Sequence, residues 1–477
     1  MLTYDFSKRG DKPKYLFLYE SIRDDIAAGK IERNTKLPSK RTLANHLNVG
    51  INTVANAYDL LVGEGYVKSS ERKGFFADGA KESPAPEREV CDICKTKQKR
   101  KKADEPFLNL MSNRTSVELF PATVWNQLMR KTLNQGDELF RTVPFNGLLE
   151  LRCAISGYLA RNKGMEVDAE QIVIGAGSEY LYMRLAQLFG KTRIFGFEDP
   201  GYKKLPQVAR SFENLVEFVP IDEHGLRVDA LAKSDVDVMH VSPANHFPTG
   251  IIMPASRRDA LVKWAQGAPK HYIIEDDYDS EFRYNEEYIA PLFSEDAHDK
   301  VIYMNTFSKT LVPSIRISYM VLPPKLLEKY KERMGFYSNT VSSFEQFTLA
   351  QFISEGHFER HINRLKKHYK QLKSEVIAEI KGSKLGEISE IIDNNAGTHF
   401  LLNVKTCLTH KEVAERAKTL DLTLNFLTDY LALPKEKFDR PDFNESENGI
   451  VSLVFNCATV RRADILEAID RLTKIFL

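Results

Sequence analysis

Val301-Ile302-Tyr303-Met304-Asn305-Thr306-Phe307-Ser308-Lys309 is followed, seven residues on, by Arg316. The run opens as a short apolar stretch that reads as a buried strand, and Lys309 falls just past its end. A lysine in that position, once burial lowers its pKa, is a nucleophile able to form a Schiff base with an aldehyde. Thr306, Ser308 and Arg316 add the hydroxyls and the cation that can cradle a phosphate. Taken alone, a lysine is more often a solvated surface group, so the run gains its meaning from its neighbours.

Upstream, Gln171-Ile172-Val173-Ile174 is a second short apolar strand. It runs into Gly175-Ala176-Gly177-Ser178-Glu179 and then a helical pattern through Leu181, Leu185 and Leu188. A small-residue turn feeding a helix N-terminus offers unpaired N–H groups to a phosphate, although many strand-to-helix turns look alike. Between the two lies His271-Tyr272-Ile273-Ile274-Glu275-Asp276-Asp277-Tyr278, an apolar strand ending in carboxylates. Open α/β sheets place ligands at such strand ends. A carboxylate there can hold a pyridinium N–H and strengthen an electron sink; paired acids can equally bind magnesium or stay solvated.

These three strands belong to a long region, from about residue 106 onward, in which apolar strands alternate with amphipathic helices. That alternation is the pattern of an α/β fold with a largely parallel sheet. The whole chain has 477 residues, 43% hydrophobic and 28% charged, enough for two or three domains with sizeable cores. Lys and Arg number 67 against 66 Asp and Glu, so any nucleic-acid surface must be sought locally. No apolar run approaches a membrane span, and the N-terminal residues lack a signal-peptide core, which predicts a cytoplasmic protein. Five scattered cysteines do not make a disulfide framework.

Residues 79–105 are rich in Lys, Glu and Pro and read as a flexible charged linker. They carry Cys91 and Cys94 without a second ligand pair at zinc-site spacing, so two exposed thiols are expected and no metal site. Residues 1–78 differ again, with three short helical patterns. Leu16, Ile22 and Ile26 share one face of the first, which stops near Gly29. Ser39 stands as an N-cap after Pro38, ahead of a helix with Leu43 and Leu47 inward. After the Asn48-Val49-Gly50 turn, a third helix sets Val54, Ala57, Tyr58 and Leu61 toward a core, leaving Asn52, Thr53 and Asn56 outward. Tyr66–Ser69 and Gly74–Phe76 then read as a two-stranded wing with Arg72 and Lys73 at its tip. Basic groups concentrate at Lys36, Lys40, Arg41, Lys68, Arg72 and Lys73, placed to meet phosphates or a groove. A winged helix used only for protein contacts is the alternative.

The block Leu37–Val67 followed by Glu71–Phe76 resembles the GntR-type winged helix-turn-helix, with Ile51 where that family usually has an Arg. The strands around Gly177, Asp276 and Lys309 resemble, in order and spacing, fold-type I pyridoxal phosphate (PLP) enzymes of the aspartate aminotransferase group. So do residues 144–164, 242–250 and 307–323. Both parts together resemble the MocR/GabR-type transcription regulators over nearly the whole chain. The resemblance implies a reader over 1–78 and an aminotransferase-like effector domain over 106–477, the latter with a large mainly parallel sheet and a small C-terminal α/β subdomain. It implies PLP on Lys309, Asp276 at the pyridine nitrogen, Tyr278 at the phenolic oxygen, and Tyr202 stacked on the ring. Gly177, Ser178, Thr306, Ser308 and Arg316 would hold the phosphate. Ser39, Arg41, Asn52, Thr53, Asn56, Arg72 and Lys73 would contact double-stranded DNA. A homodimer reading paired half-sites is also implied.

Two positions depart from the aminotransferase pattern. Phe247 stands where an Asn normally bonds the cofactor, and Ser452 stands where a late-strand Arg normally holds a substrate carboxylate. Losing that bidentate partner predicts weak affinity for ordinary α-amino acids, with Lys204 as a substitute cation. The expected function is a PLP-loaded DNA-binding regulator that senses an amine, an amino acid or PLP itself. The alternative is a competent aminotransferase carrying a DNA-binding module.

Overall fold

A computed structural model describes residues 2–10, 12–70, 73–78, 106–111, 117–134, 136–284, 289–433 and 449–477. Arg72 and the segment 79–105, with Cys91, Cys94 and its basic run, lie outside the described residues. The chain divides into two units, Met1–Asp104 and Glu105–Leu477.

In the first unit, α1 (Lys14–Ala27), α2 (Lys40–Leu47) and α3 (Ile51–Gly63) precede an antiparallel pair, β1 (Val67–Ser70) and β2 (Gly74–Ala77). The apolar spacing explains the packing. Leu18, Ile22, Leu43, Val54, Ala57, Tyr58 and Leu61 are fully buried in one cluster, the 3.6-residue stripe of each helix facing the others. Ser39 caps α2 by accepting the Thr42 N–H at 3.1 Å. Tyr58 is tied in as well, its hydroxyl donating to the Pro38 carbonyl at 2.9 Å.

In the second unit an eight-stranded sheet carries the architecture. Its strands are β4 (Ile172–Gly175), β5 (Ile194–Asp199), β6 (Leu215–Asp222), β7 (Gly225–Leu226), β8 (Val238–Val241), β9 (Tyr272–Asp276), β10 (Val301–Thr306) and β11 (Ser318–Val321). The order is β4-β11-β10-β9-β8-β5-β6-β7. From β10 through β9, β8 and β5 to β6 every pairing is parallel, while β11 and β7 pair antiparallel to their neighbours. Every residue of β4, β8 and β10 is buried. That explains the uninterrupted apolar runs, since strands covered on both faces have no solvent side to write into the sequence. Helix α4 (Ser178–Phe189) leaves β4 through Gly177.

A smaller antiparallel sheet of β12 (Ser389–Ile392), β13 (His399–Lys405) and β15 (Ile450–Asn456) follows, and the short strands β3 (Leu108–Asn109) and β14 (Leu422–Thr423) pair in parallel. It packs with the long helix α5 (His357–Gly382) and the last helix α6 (Ile465–Phe476) in a separate apolar cluster that includes Leu372, Val376, Phe400, Phe455 and Leu472. Among the described residues no helix is long and apolar enough to cross a membrane.

Candidate functional site

The carboxyl ends of β5, β8, β9 and β10 border a cavity of about 290 Å³, closed by the start of α4 and the turn that carries Lys309 to Arg316. Ser178, Tyr202, Lys204, Asp276, Tyr278, Thr306, Ser308, Lys309 and Arg316 all line it. Chain order had scattered these residues over about 140 positions; the parallel topology gathers them because each strand ends at the same edge.

Burial lowers the Lys309 amine below its ordinary value, opposed by the negative charge of Asp279. A lysine in this state is more often neutral and nucleophilic. At the end of β9, an oxygen of Asp276 lies 3.5 Å from Nε2 of His240 on the adjacent β8. His240 is itself wedged against the rings of Tyr182 and Phe197, which fixes its plane. The Tyr278 hydroxyl stands 3.5 Å from Asn245 Nδ2, a long contact, and burial raises it well above the ordinary tyrosine range. Asn245 makes its stronger contacts to Asp279.

Past the end of β10 the hydroxyls form a chain. Ser318 donates to Thr306 Oγ1 at 2.8 Å, Thr306 Oγ1 accepts the Ser308 N–H at 3.2 Å, and Ser178 Oγ lies 3.4 Å from Ser318 Oγ. Arg316 sits beside them, half exposed, 3.7 Å from Glu179. Gly177 has φ +97°, and a Cβ there would stand 2.4 Å from Arg316 Nη2. The guanidinium therefore approaches the turn only because that residue has no side chain. Donors, a cation and a helix N-terminus converge here, the equipment of a phosphate site.

Two other sequence candidates behave differently. Lys204 lies on the cavity wall and faces Glu179 at 3.4 Å. Ser452 is not on that wall. It is fully buried in β15, opposite Asn403 of β13. Sequence reasoning expected residues 242–250 to line the pocket without singling out Asn245, and it missed His240, Asp279, Ser318 and Glu198. Glu198 is buried, accepts the Ser242 N–H at 3.0 Å and lies 3.7 Å from His246 Nε2. Burial pushes its acid up to about 8. The one visible signal for His240 was a histidine interrupting the apolar strand Val238–Val241.

In the first unit, Asn52 and Asn56 are exposed on α3, Thr53 is half-buried, and Arg41 and Lys73 are exposed. Lys40 is paired with Asp59 at 3.0 Å and Lys68 with Asp78, so two of the cations counted from sequence are already engaged. Ser39 spends its oxygen on the α2 cap.

These two units define a DNA-reading head joined to an aminotransferase-fold body, and comparison with known proteins agrees for both. Residues 14–77 match the family described as bacterial regulatory proteins, gntR family. Residues 105–415 match aminotransferase class I and II. The chain is 38% identical over 411 residues to the uncharacterized HTH-type transcriptional regulator YdeL of Bacillus subtilis, covering 86% of this chain and 88% of that one. It is 31% identical over 388 residues to the pyridoxine biosynthesis transcriptional regulator PdxR of Corynebacterium glutamicum, covering 81% and 82%. It is 28% identical over 432 residues to the probable rhizopine catabolism regulatory protein MocR of Rhizobium meliloti, covering 87% and 86%. Among solved structures, an archaeal alanine:glyoxylate aminotransferase shares the fold with a TM-score of 0.66 at 22% identity, covering 79% of this chain and 92% of that one. The chain belongs to the MocR/GabR-type HTH transcriptional regulators, which join a GntR reader to an aminotransferase-like domain.

Proposed function

We propose that this regulator holds PLP through Lys309 and changes its hold on paired DNA half-sites, as a homodimer, when an amine or amino-acid effector reaches that cavity. The proposed division is a reader over 1–78, a linker over 79–105 and the effector domain over 106–477. The observation that carries the proposal is the convergence of Lys309, Asp276 and the Arg316–Thr306–Ser308 cradle on one cavity. The residues present fit the cofactor. The missing Cβ at Gly177 leaves the guanidinium room beside the hydroxyl chain, and burial keeps Lys309 ready to react.

When bound, PLP supplies an aldehyde for amine capture and an electron-withdrawing ring. Arg316, Thr306, Ser308 and Ser178 would bind the phosphate. Asp276, 3.5 Å from His240 Nε2, would keep the proton on the ring nitrogen. Tyr278 would donate to the phenolic oxygen, and Tyr202 would cover a ring face. On DNA, α3 would enter the major groove with Asn52 and Asn56 toward base edges, while Arg41 and the wing tip meet phosphates. The test is a visible absorbance band in the purified, PLP-supplemented protein, trapped on Lys309 by borohydride and absent in Lys309→Ala. A band that persists unchanged in Lys309→Ala overturns the proposal.

A second reading is favoured by the PdxR relative, whose printed name ties it to pyridoxine biosynthesis. PLP itself would then be the signal. DNA affinity that differs between cofactor-free and PLP-loaded protein, without any amine, supports that reading; equal affinity rejects it. Turnover of an amino donor and a keto acid would instead mark a working aminotransferase.

A further inference from the structure

Phe247 is held in place by other rings. Its centroid lies 5.0 Å from that of Tyr430 at 90°, 5.6 Å from His399 at 67° and 6.2 Å from Tyr202 at 83°. These are edge-to-face contacts, the favoured geometry for aromatic pairs. Tyr430 is anchored in turn, its hydroxyl donating to Asn425 Oδ1 at 2.8 Å. Phe247 therefore presents a fixed apolar surface to the cavity, whose lining also includes Leu205 and Pro313. His399 adds no charge behind this wall, because burial and the nearby Lys373 and Lys309 charges lower its imidazole to about 3.

Charge on the cavity is distributed elsewhere. Among the described residues the lysines and arginines on its wall are Lys204, Lys309 and Arg316. Lys309 and Arg316 belong to the proposed cofactor site, and Lys204 faces Glu179 at 3.4 Å. A carboxylate brought against Phe247 would shed water and meet the rings that hold it, a loss those rings do not repay. An aryl group brought there gains both burial and edge contacts.

We infer that the effector class of this cavity is a primary amine bearing an aryl or comparably apolar group and no carboxylate, with Phe247 as the residue that sets this preference. The inference rests on the proposal that the cavity holds PLP and receives the effector.

The test is calorimetric titration of the full-length, PLP-loaded protein with three ligands. 2-Phenylethylamine carries amine and ring, L-phenylalanine adds only the α-carboxylate, and ethylamine lacks the ring. 2-Phenylethylamine is expected to bind at least about tenfold tighter than either of the others. L-Phenylalanine binding as tightly or more tightly overturns the inference, as does ethylamine matching 2-phenylethylamine. In Phe247→Ala the preference of 2-phenylethylamine over ethylamine is expected to collapse. Phe247→Leu, which preserves an apolar side chain, provides the comparison if the alanine variant does not fold, and is expected to weaken the preference. A ratio unchanged from wild type in the folded variant overturns the role of Phe247. The visible band, recorded on the same samples, separates the two failures. A band with no discrimination among amines sinks this inference alone; no band sinks the cofactor proposal and this inference with it.

Discussion

Asn245 Nδ2 lies 2.8 and 3.0 Å from the two carboxylate oxygens of Asp279, and both residues are buried. The backbone at Gly397 (φ +62°) crosses so close that a Cβ would stand 2.4 Å from Asn245 Nδ2 and 2.8 Å from Asp279 Oδ2. The segment leading into β13 is thereby pressed against the pair. Burial holds the Asp279 acid above the usual carboxylate range, while the Asn245 hydrogen bond and the charge of Lys309 pull it back. The charge of Asp279 acts on Lys309 in reverse, keeping its amine higher than burial alone would leave it.

Removing that charge has a definite sign. In Asp279→Asn the ammonium form of Lys309 loses its opposing partner, so the neutral amine prevails at lower pH. The rate of PLP capture, followed by absorbance against pH, is expected to show its midpoint displaced to lower pH in the variant. A midpoint that stays fixed or rises would show that Asp279 does not govern Lys309.

Gly177→Ala tests the phosphate cradle. The new Cβ would collide with Arg316 Nη2 and impose a side chain on a φ of +97°. The guanidinium must withdraw, and the cost of the strained backbone is about 1 kcal/mol or more. PLP affinity, measured by titration of the cofactor-free protein, is expected to fall about tenfold or more, which corresponds to losing roughly 1.4 kcal/mol. Unchanged affinity would place the phosphate elsewhere.

The parts of this site that are contiguous in sequence were legible, and those assembled by topology were not. Strands buried on both faces write unbroken apolar runs, so the ends at Asp276 and Lys309 stood out, as did the small-residue turn at Gly177. The helices of the reader were legible because their buried stripes keep the 3.6-residue period. His240 faces Asp276 only because β8 lies beside β9 in the sheet, and no spacing along the chain encodes that adjacency. Ser318 meets Thr306 through the antiparallel pairing of β10 with β11. The motif containing Asn245 was visible, but not its bond to Asp279, 34 residues away. Ser452 stands where the family pattern has a carboxylate-binding Arg, and strand β15 buries it opposite Asn403, a pairing that no motif along the chain encodes.

The reader should separate positioning from specificity. Lys73 is exposed next to the wing turn, and Asn52 is exposed on the outer face of α3. Lys73→Ala is expected to weaken binding to all DNA sequences alike and to lower the slope of log affinity against log salt by about one. Asn52→Ala is expected to cost about 1–3 kcal/mol on the preferred operator and less on other sequences. Binding measured at several salt concentrations on specific and random duplexes distinguishes the two; a salt slope altered by Asn52→Ala but not by Lys73→Ala would reverse the assignment.

Inside the Tyr58–Pro38 contact lies the tie between α3 and the start of α2. Tyr58→Phe retains the ring packing and leaves a part-buried carbonyl without its donor. The expected loss is about 0.5–1.5 kcal/mol in reader stability, seen as a lower midpoint in chemical denaturation of the full-length protein. No loss would mean water takes over the carbonyl.

Glu198 gives the protein a stability that depends on pH. Its acid is raised from the ordinary 4.5 to about 8, burial being the largest cause, the Ser242 N–H pulling the other way and the Asp276 charge adding to the rise. A folded-state value above the unfolded one means the native protein binds this proton more tightly than the unfolded chain does. The contribution is complete below about pH 4.5 and is lost as pH climbs through about 8. Glu198→Gln keeps an acceptor for the Ser242 N–H and cannot ionise. Between pH 5 and pH 8, wild type should therefore lose stability that the variant retains, on the order of a few kcal/mol. Denaturation midpoints for both proteins, taken across that interval, measure the difference directly. Parallel curves would mean that Glu198 ionises at its ordinary value despite its burial.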